Sequence, residues 1–282
     1  MSNQESTRNV DAPTVSGFGD EWSRFNQQQL LHNAPEHLAI FNSYFAVFPW
    51  QLLPEGAVGF DLGCGTGRWA ALVAQRVGHL HCIDPSEALE VARRNLAGLS
   101  NCSFHRATVD QIPLPDNSAD FGYSLGVLHH VPDTRAGIHQ CVQKLKPGAP
   151  FLLYLYFAFD NKPAWYRLVW RMTEFIRFTV SRLPHPLRYA ASQVLACSVY
   201  FPAARISAGL ERLGCDVRNL PLSAYRSMSF YTMRTDALDR FGTRLEQRFT
   251  RVQIQEMMEG AGLSDIRFSD AVPYWCAVGI KK

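Results

Sequence analysis

Short apolar runs alternate with helix-forming segments through the middle of this chain, and this alternation limits its possible folds more than any other feature. Five runs have the composition of strands: residues 58–62, 79–83, 102–108, 121–125 and 151–157. The segments between them have helical spacing or helix start and stop signals. The fifth run is apolar on both faces, as a covered central strand should be. The order predicts an α/β fold with a doubly wound, mostly parallel sheet.

The end of the chain follows a different pattern. Residues 250–261 form a predicted helix that stops at a glycine, and two strand-like runs follow, close enough to pair as antiparallel neighbours. These two strands raise the predicted sheet to seven strands. Residues 158–249 are too many for a simple loop. We therefore expect a mostly helical insertion after the fifth strand, at the carboxyl edge of the sheet where α/β proteins bind ligands.

The domain organisation follows from these elements. We expect a disordered tail over residues 1–17, where the composition is polar, and an N-terminal helical cap over residues 18–55. The sheet and its helices occupy residues 56–157 and 250–282 and form the ligand-binding core. The insertion over residues 158–249 is expected to form a lid over that core.

Composition limits the class of protein. With 282 residues and 47% hydrophobic content, the chain can bury a large core. Its seven cysteines are odd in number and include no CxxC pair, so we expect buried reduced thiols in a cytoplasmic protein and no metal site. Polar residues follow Met1, so no secretory signal is expected, and no apolar run is long enough to span a bilayer.

Positive charge is concentrated in the insertion. Residues 158–249 contain fourteen Lys and Arg against seven Asp and Glu, which leaves the rest of the chain at −4 within an overall charge of +3. Thirteen of the fourteen are arginines, whose guanidinium groups can bind phosphate or carboxylate in a bidentate manner. Solvated helix faces and an anion-binding surface explain this surplus equally well.

The segment DLGCGTG, residues 61–67, follows the first predicted strand directly. Its three alternating glycines let the backbone turn tightly and approach a ligand without side-chain clash. Asp84 closes the second strand, where a carboxylate can accept hydrogen bonds from both hydroxyls of a ribose. Part of this loop also fits the dinucleotide fingerprint GxGxxA. Asp61 argues against a dinucleotide, because its carboxylate would lie beside a pyrophosphate, whereas it suits a ligand with an ammonium group.

Four motifs follow one another in the chain: VGFDLGCGTG, CIDPS, IPLPDNSADFGYSLGVLHHVPD and LKPG. With them the chain resembles the class I S-adenosylmethionine-dependent methyltransferases, in particular the small-molecule subgroup similar to the ubiquinone and menaquinone methyltransferases (methyltransferase domain 11-like). The resemblance covers residues 56–157 and resumes over residues 250–282. It implies a Rossmann-like fold and transfer of a methyl group from S-adenosylmethionine to a small molecule in a biosynthetic pathway.

The resemblance also implies which residues bind the cofactor. Those of the first two motifs would hold its amino-acid end and its ribose: Asp61, Gly63, Cys64, Gly65, Gly67, Asp84 and Pro85. Family members often carry Gly-Asp-Ala after the third strand, with the acid at the adenine amino group, but here the triplet is Ala107-Thr108-Val109. Thr108 or Asp110 could replace the missing acid, and the backbone amide of Val109 could still reach the ring. Leu125, at the end of the fourth strand, is a further candidate.

Methyl transfer from a sulfonium is an in-line displacement, and an oxygen acceptor gains nucleophilicity when a general base removes its proton. His129 and His130 follow the fourth predicted strand and are the candidates for this base. The alternative is that each histidine packs or hydrogen-bonds within the turn before Pro132, which is the more common role for such a residue.

Two aromatic segments of the insertion could form the acceptor side. Trp165 and Trp170 belong to a stripe interleaved with arginines, which could pack on the core, line an acceptor pocket or rest on a membrane surface. Tyr225, Arg226 and Tyr231 belong to a second cluster and are predicted to bind the acceptor. The alternative for that cluster is the closely packed core of a lid.

The aromatic segment FGDEWSRF, residues 18–25, lies before the first strand. Enzymes of the family that the chain resembles commonly cover the cofactor pocket with this part of the chain. We therefore expect Phe18, Trp22 and Phe25 to close over cofactor and acceptor, with Arg24 available for a carboxylate or phosphate. The segment also resembles an FGxEW pattern in members linked to surface-sugar and secondary-metabolite pathways. A hydrophobic anchor on the flank of the sheet is the alternative.

The function predicted from the sequence is methylation of a small molecule, at oxygen, with an acceptor that is anionic, partly apolar or both. Glycan precursors, lipid-linked compounds and natural-product intermediates fit this description. A nucleic-acid methyltransferase is the second interpretation, against which the chain has no Asn-Pro-Pro-Tyr or Asp-Pro-Pro-Tyr motif and no basic tail. A non-catalytic regulatory protein that binds S-adenosylmethionine is the third. The insertion also allows peripheral membrane contact, and the sequence sets no oligomeric state.

Overall fold

The structure, a computed structural model, describes residues 9–25 and 34–282. Its centre is a sheet made of β1 (Val58–Leu62), β2 (His79–Ile83), β3 (Cys102–His105), β4 (Phe121–Leu125), β5 (Pro150–Tyr154), β6 (Leu263–Phe268) and β7 (Ala277–Lys281). The strands lie in the order β3-β2-β1-β4-β5-β7-β6, and β1 to β5 are parallel. β7 pairs antiparallel with β5 and β6. The predicted doubly wound, seven-stranded sheet is confirmed.

Helices cover both faces of this sheet. They are α1 (Ala12–Arg24) and α2 (Ala34–Tyr44) before β1, and α3 (Ala70–Val73), α4 (Ala88–Asn95) and α5 (Thr134–Lys144) between the strands. Alternate residues of β5 point to opposite faces, so Phe151 joins one core cluster with Phe60, and Leu152 joins the other with Leu80. β4 and β5 are buried along their whole length, as the apolar composition of these strands requires.

Residues 158–249 form a helical insertion after β5, as the sequence predicted. It contains α6 (Ala164–Val180), α7 (His185–Leu195), a π-helical turn (Ala196–Tyr200), α8 (Phe201–Arg212) and α9 (Phe230–Gly242). These elements bury an apolar cluster of their own that includes Tyr200, Met233 and Phe241. α9 packs against α6 and α7 and also contacts α1, so the insertion is joined to the N-terminal segment. α10 (Arg251–Gly260) then leads the chain back to β6.

The N-terminal helix begins earlier than the sequence indicated. α1 starts at Ala12, so the prediction of a disordered tail over residues 1–17 is wrong for residues 12–17. The Asp11 carboxylate caps the helix by accepting a hydrogen bond from the Thr14 amide at 3.0 Å, and a proline lies in the first turn. Residues 1–8 of that tail, and residues 26–33 of the predicted cap, lie outside the described part of the chain.

The cysteines are less uniformly buried than predicted. Cys197 and Cys215 are exposed, because the π-helical turn and the loop after α8 lie on the outside of the insertion, and Cys102 is half-buried. The other four are buried and unpaired. Within residues 9–25 and 34–282, no helix is long and apolar enough to cross a bilayer, and no three side chains form a potential metal site.

Candidate active site

A cavity of about 720 Å³ lies where the carboxyl ends of β1, β2, β4 and β5 meet the insertion. Parallel strands bring their following loops to the same edge of a sheet, which explains why residues distant in sequence line one space. We call the part lined by the loops after β1 and β2 the loop half. The part beneath the insertion is the insertion half.

The glycine loop turns over the end of β2 and forms the floor of the loop half. The amides of Gly63 and Cys64 both donate to the last carbonyl of β2, at 2.7 and 3.1 Å. Gly63 has a φ of 77°, and a Cβ added there would lie 2.3 Å from Val127 Cγ2, so only glycine fits. Gly63, Cys64 and Gly65 line the cavity, whereas Gly67 does not.

Asp84 follows β2 and also lines the loop half, together with Pro85. One carboxylate oxygen accepts a hydrogen bond from the Gly65 amide at 2.9 Å, and the other accepts from the amide and hydroxyl of Ser86 at 2.8 and 2.6 Å. Burial raises the pKa of Asp84, and these hydrogen bonds oppose the shift. Because a carboxylate has about four lone-pair sites, Asp84 can still accept hydrogen bonds from hydroxyl groups of a ligand in the cavity.

Asp61 lies beneath the loop rather than in the cavity lining, and it is 1% exposed. Its Oδ2 and the hydroxyl of its cross-strand neighbour Tyr123 have no hydrogen-bond partner among the described residues. Burial raises the pKa of Asp61 to about 8, the adjacent Tyr123 hydroxyl opposes the shift, and the Asp84 carboxylate adds to it. An unpartnered buried carboxylate is costly, and a cationic group would satisfy it. Because Asp61 does not line the cavity, its contact with the ammonium end of the ligand stays a prediction.

The loop after β3 contributes two of the three residues predicted to contact an adenine ring. Thr108 and Val109 line the cavity, and the buried Thr108 hydroxyl has no partner in the described part of the chain. Asp110 does not line the cavity, because its carboxylate accepts a hydrogen bond from the Asn9 amide. The structure thus favours Thr108 over Asp110 as the replacement for the missing acid. Leu125, at the end of β4, also lines the cavity.

Residues before α1 cover the loop half, which the sequence did not predict. Asn9 exchanges two hydrogen bonds with the backbone of Asp133, both at 2.7 Å. Val10, Asp11 and Thr14 line the cavity beside Asn9. The Asp-Ala-Pro-Thr sequence indicates a helix start. It does not indicate this position, which depends on contacts 124 residues away in sequence.

Two aromatic side chains of α1 lie over the cavity. Trp22 lines it and packs over the glycine loop, since a Cβ added at Gly65 would lie 3.7 Å from Trp22 Nε1. Phe18, one turn earlier, also lines the cavity, and its ring centroid lies 4.9 Å from that of His130 in an edge-on arrangement. α1 therefore contributes to both halves.

The structure corrects the prediction for three residues near the end of α1. Phe25 follows the last turn, one turn beyond the cavity, and packs against Tyr231 of α9 with ring centroids 5.6 Å apart. Neither ring lines the cavity. Arg24 lies on another side of the helix and forms an ion pair with Asp20 at 3.0 Å. Phe25 and Tyr231 thus join α1 to the insertion, and Arg24 is not placed to bind a ligand.

The two candidate bases differ in position. His130 lines the cavity, and its Nδ1 lies 2.7 Å from the Leu245 carbonyl. A carbonyl can only accept, so Nδ1 carries the proton and Nε2 has a free lone pair. This buried Nε2 has no partner among the described residues. His130 is therefore an acceptor for a proton from a molecule in the cavity.

His129 is fully buried and does not line the cavity. Its ring stacks on Tyr156 with centroids 3.8 Å apart, and its Nδ1 accepts a long hydrogen bond of 3.4 Å from the Tyr156 amide. Burial holds the pKa of His129 well below its usual range. The prediction that His129 acts on a ligand is wrong, because Tyr156 separates it from the cavity.

Two carboxylates of α9 line the insertion half, and the sequence analysis missed both. The Tyr225 hydroxyl donates to Asp236 at 2.8 Å, and the Tyr156 hydroxyl donates to Asp239. Burial raises the pKa of Asp236 to about 6. Burial also raises the pKa of Asp239, whereas the charge of His130 acts to lower it. No local pattern links Tyr156 to an acid 83 residues later, so this pairing depends on the tertiary fold.

Of the other residues predicted to bind the acceptor, some line the cavity and one does not. Tyr225 and Arg226 line the cavity, but Arg226 is paired with Glu211 at 2.8 Å. Trp165 is 48% exposed and does not line the cavity, which corrects its predicted role. α6 turns Trp170 inward instead, and that residue lines the insertion half.

Cationic side chains are present at several points of the lining. Arg68 lines the cavity, with its guanidinium 4.2 Å from the Trp69 ring centroid. Lys162 and Arg218 lie at the outer end, where the Lys162 ammonium donates to the Arg218 carbonyl at 2.7 Å. Within the described residues, neither Arg68 nor Lys162 has a carboxylate within 4.0 Å.

Comparison with known proteins agrees with this geometry. Residues 60–153 match the methyltransferase domain family Methyltransf_11. Over 94 residues the chain is 35% identical to a demethylmenaquinone methyltransferase of Clavibacter sepedonicus, covering 33% of this chain and 38% of that protein. Over 97 residues it is 34% identical to a ubiquinone biosynthesis O-methyltransferase of Alkalilimnicola ehrlichii, covering 33% of this chain and 39% of that protein. The chain thus spans less than half the length of these relatives.

A solved structure shares the fold over nearly the whole chain. The methyltransferase in a complex with the Trm112 methyltransferase activator of Haloferax volcanii has a TM-score of 0.52 and 16% sequence identity, and the match covers 93% of this chain and 96% of that one. The family match and these relatives make residues 60–153 similar to class I S-adenosylmethionine-dependent methyltransferase domains, and the solved structure shows that the fold is shared over most of the chain. The predicted enzyme class and cofactor are confirmed for this domain.

Proposed function

We propose that the whole protein transfers a methyl group from S-adenosylmethionine to an oxygen atom of a small, partly apolar acceptor. The observation that carries this proposal is the unpartnered Nε2 of His130, which lines the cavity between its two halves. A base in that position is needed when the acceptor atom must lose a proton, as a hydroxyl does. The quinone-type relatives support a small-molecule acceptor.

The loop half fits S-adenosylmethionine by its chemistry. Asp61 offers an unsatisfied carboxylate to the ammonium group, and Asp84 offers acceptor sites to the ribose hydroxyls. The free Thr108 hydroxyl suits the adenine edge. When bound there, the cofactor supplies an electrophilic methyl group whose leaving group is neutral. Trp22 would cover the bound molecule and exclude water.

His130 then acts on the acceptor itself. Its Nε2 removes the proton of the acceptor hydroxyl as the new carbon–oxygen bond forms, and the resulting imidazolium keeps its Nδ1 hydrogen bond to the Leu245 carbonyl. The Asp239 carboxylate, which accepts a hydrogen bond from the Tyr156 hydroxyl, lines the same cavity. Phe18 packs edge-on against the imidazole and restricts its rotation.

The lining of the insertion half suggests the chemistry of the acceptor. Its walls are largely aromatic, with Tyr154, Tyr200 and Trp170 among them, which favours an apolar or aromatic acceptor. Lys162 at the outer end supports an anionic group at the far end of the molecule, as the sequence suggested. The cytoplasmic location stays a prediction.

A methyl-transfer assay with His130→Ala tests the proposal. Extract fractions would be incubated with S-adenosylmethionine, and products heavier by one methylene detected by mass spectrometry. Loss of a general base predicts a roughly 10²- to 10⁴-fold lower rate, with unchanged affinity for S-adenosylhomocysteine. The matched control is His139→Ala, because His139 is exposed on α5. Equal loss of rate in both variants, or none in His130→Ala, contradicts the proposed base.

The same assay separates the alternatives. A protein that binds the cofactor but yields no methylated product in any fraction would be a regulatory binding protein. Tight binding to RNA or DNA that weakens steeply with salt would instead support a nucleic-acid methyltransferase.

A further inference from the structure

Helix α6 carries its apolar side chains on the outside. Leu168, Met172 and Phe175 occupy successive turns of one face and are 60%, 70% and 76% exposed. The inward side is mixed: Trp170 lines the cavity, Val180 joins the buried cluster, and Glu174 forms ion pairs with Arg177 at 2.9 Å and with Arg240 of α9. A surface helix of a globular protein normally presents charged and polar residues, not a row of large apolar ones, on its outer face. The exposed face therefore requires a partner that the described part of the chain does not supply.

The next two helices of the insertion also expose large apolar side chains. On α7, Leu187 and Val194 are 57% and 64% exposed, and on α8, Ile206 is 61% exposed. We call the outer surface of α6, the π-helical turn and α8, with these α7 residues, the apolar face. Its extent over three helices is far beyond the single exposed leucines that any soluble domain carries.

Arginines border the apolar face and lack ion-pair partners. Arg167, Arg171 and Arg212 are exposed, and no carboxylate of the described residues lies within 4.0 Å of them. Arg182 lies with its guanidinium 3.4 Å from the Phe178 ring centroid. The face thus combines apolar area with uncompensated positive charge.

The cavity reaches the surface on this face. Val169 of α6 and Val199 of the π-helical turn both line the cavity, yet they are 43% and 46% exposed. Side chains that line the cavity and are also open to solvent mark its mouth. One opening of the insertion half therefore lies between α6 and the π-helical turn, beside these exposed apolar residues, and Val272, which also lines the cavity and is 49% exposed, marks another point of access.

We propose that the apolar face docks on the surface of an anionic lipid bilayer, and that the mouth of the cavity there admits an acceptor dissolved in that bilayer. Exposed apolar side chains enter the boundary between headgroups and acyl chains, and arginines bind the lipid phosphates. Trp165, at the first turn of α6, has the amphipathic ring that is enriched at this depth. The entry of an acceptor by this route rests on the proposed function, whereas docking does not.

A second copy of the chain would cover the apolar area less well. A two-fold interface places the same surface on both partners, so it would bring the unpaired arginines of both copies into one contact without adding carboxylates to neutralise them. Such contact would also close the cavity mouth. An anionic bilayer supplies the opposite charge and leaves the mouth open to its interior.

Vesicle flotation tests docking with the full chain. The probes are vesicles of phosphatidylcholine alone and of phosphatidylcholine mixed with phosphatidylglycerol. Met172→Ser/Phe175→Ser should lower partitioning onto the mixed vesicles by roughly tenfold or more, since two apolar side chains no longer enter the bilayer. The matched control is Leu52→Ser/Val252→Ser, which removes side chains that are 53% and 64% exposed elsewhere. Thermal unfolding and binding of S-adenosylhomocysteine should stay at wild-type values in both.

Tryptophan quenching locates the docking surface. In vesicles that contain brominated phosphatidylcholine, wild-type fluorescence should fall, and Trp165→Phe should abolish most of that decrease. Wild-type protein that stays off the mixed vesicles overturns the proposal. So does equal partitioning of the two double variants, or quenching that Trp165→Phe leaves unchanged. A wild-type dimer that Met172→Ser/Phe175→Ser converts to monomer, without vesicle binding, would assign the face to a second copy.

Discussion

Replacing Asp84 with alanine tests the ribose-binding end of the cavity most directly. The side chain is 7% exposed and lines the cavity, while its two oxygens accept three hydrogen bonds from Gly65 and Ser86. A hydrogen bond to a charged group contributes about 1.5–3 kcal/mol, and water replaces part of it in the free state. We therefore expect Asp84→Ala to weaken cofactor binding by about 1–3 kcal/mol, or about 5- to 150-fold in Kd.

The variant also removes the acceptor that holds the Gly65 amide at 2.9 Å, so a control must separate ribose binding from loop support. Ser86→Ala removes the hydroxyl that donates to Asp84 at 2.6 Å but leaves the carboxylate in place. It should reduce stability by about 0.5–1.5 kcal/mol and change the Kd by less than about threefold. Calorimetric titration with S-adenosylhomocysteine gives both affinities, and thermal unfolding gives both stabilities.

The two variants together decide the assignment. If folded Asp84→Ala binds S-adenosylhomocysteine as tightly as the wild type, the carboxylate does not bind the ribose. If Ser86→Ala, whose side chain also lines the cavity, loses as much affinity as Asp84→Ala, the Asp84 carboxylate is not the group that decides cofactor affinity.

Three further predictions concern the loop, the acids and the cover. Gly63→Ala should abolish cofactor binding in calorimetry, because its φ is 77° and its Cβ would lie 2.3 Å from Val127; retained affinity would show that the loop can shift. Burial raises the pKa of Asp236 to about 6. Ionising this buried carboxyl therefore lowers the free energy of unfolding, an effect that is absent at pH values below the pKa of Asp236 in the unfolded chain and complete above about pH 6. Between pH 4 and pH 7, the free energy of unfolding of the wild type, measured in urea, should therefore fall by on the order of 1–2 kcal/mol more than that of Asp236→Asn. Equal pH dependence of the two proteins would contradict this prediction. Trp22→Ala should weaken binding of S-adenosylhomocysteine with little change in Tm, whereas Phe25→Ala should lower Tm with little change in binding; the reverse pattern would make α1 only an anchor.

The sheet could be predicted from sequence because a parallel strand covered on both faces leaves a continuous apolar run. β4 and β5 are such runs, and all their residues are buried. The glycine loop was predictable for a similar reason, since few conformations other than a left-handed turn explain alternating glycines after a strand. Both signals are local, and both depend on the backbone more than on distant partners.

The insertion half could not be predicted in this way. Adjacent histidines have the same local sequence signal, yet only His130 reaches the cavity, because the Leu245 carbonyl binds its Nδ1 from 115 residues away. Asp236 and Asp239 are acids on a helix, which in sequence look like solvent-exposed residues. Their position in the cavity depends on how α9 packs against the rest of the fold. Trp165 differs from its prediction in the other direction, because this aromatic residue was expected near the ligand and is exposed.

Helix α1 joins the two halves of the cavity physically. Trp22 packs over the glycine loop, whereas the preceding Glu21 is 3% exposed and has an unpartnered Oε1 within the described structure. Burial raises the pKa of Glu21, and the charges of Asp239 and Asp236 raise it further, while α1 itself contacts α9. A ligand that binds against Trp22 favours the docked position of α1 and, through it, the position of α9. Binding in the loop half should therefore favour the arrangement of Asp239 and His130 in the insertion half, and by linkage an acceptor should tighten cofactor binding by the same factor.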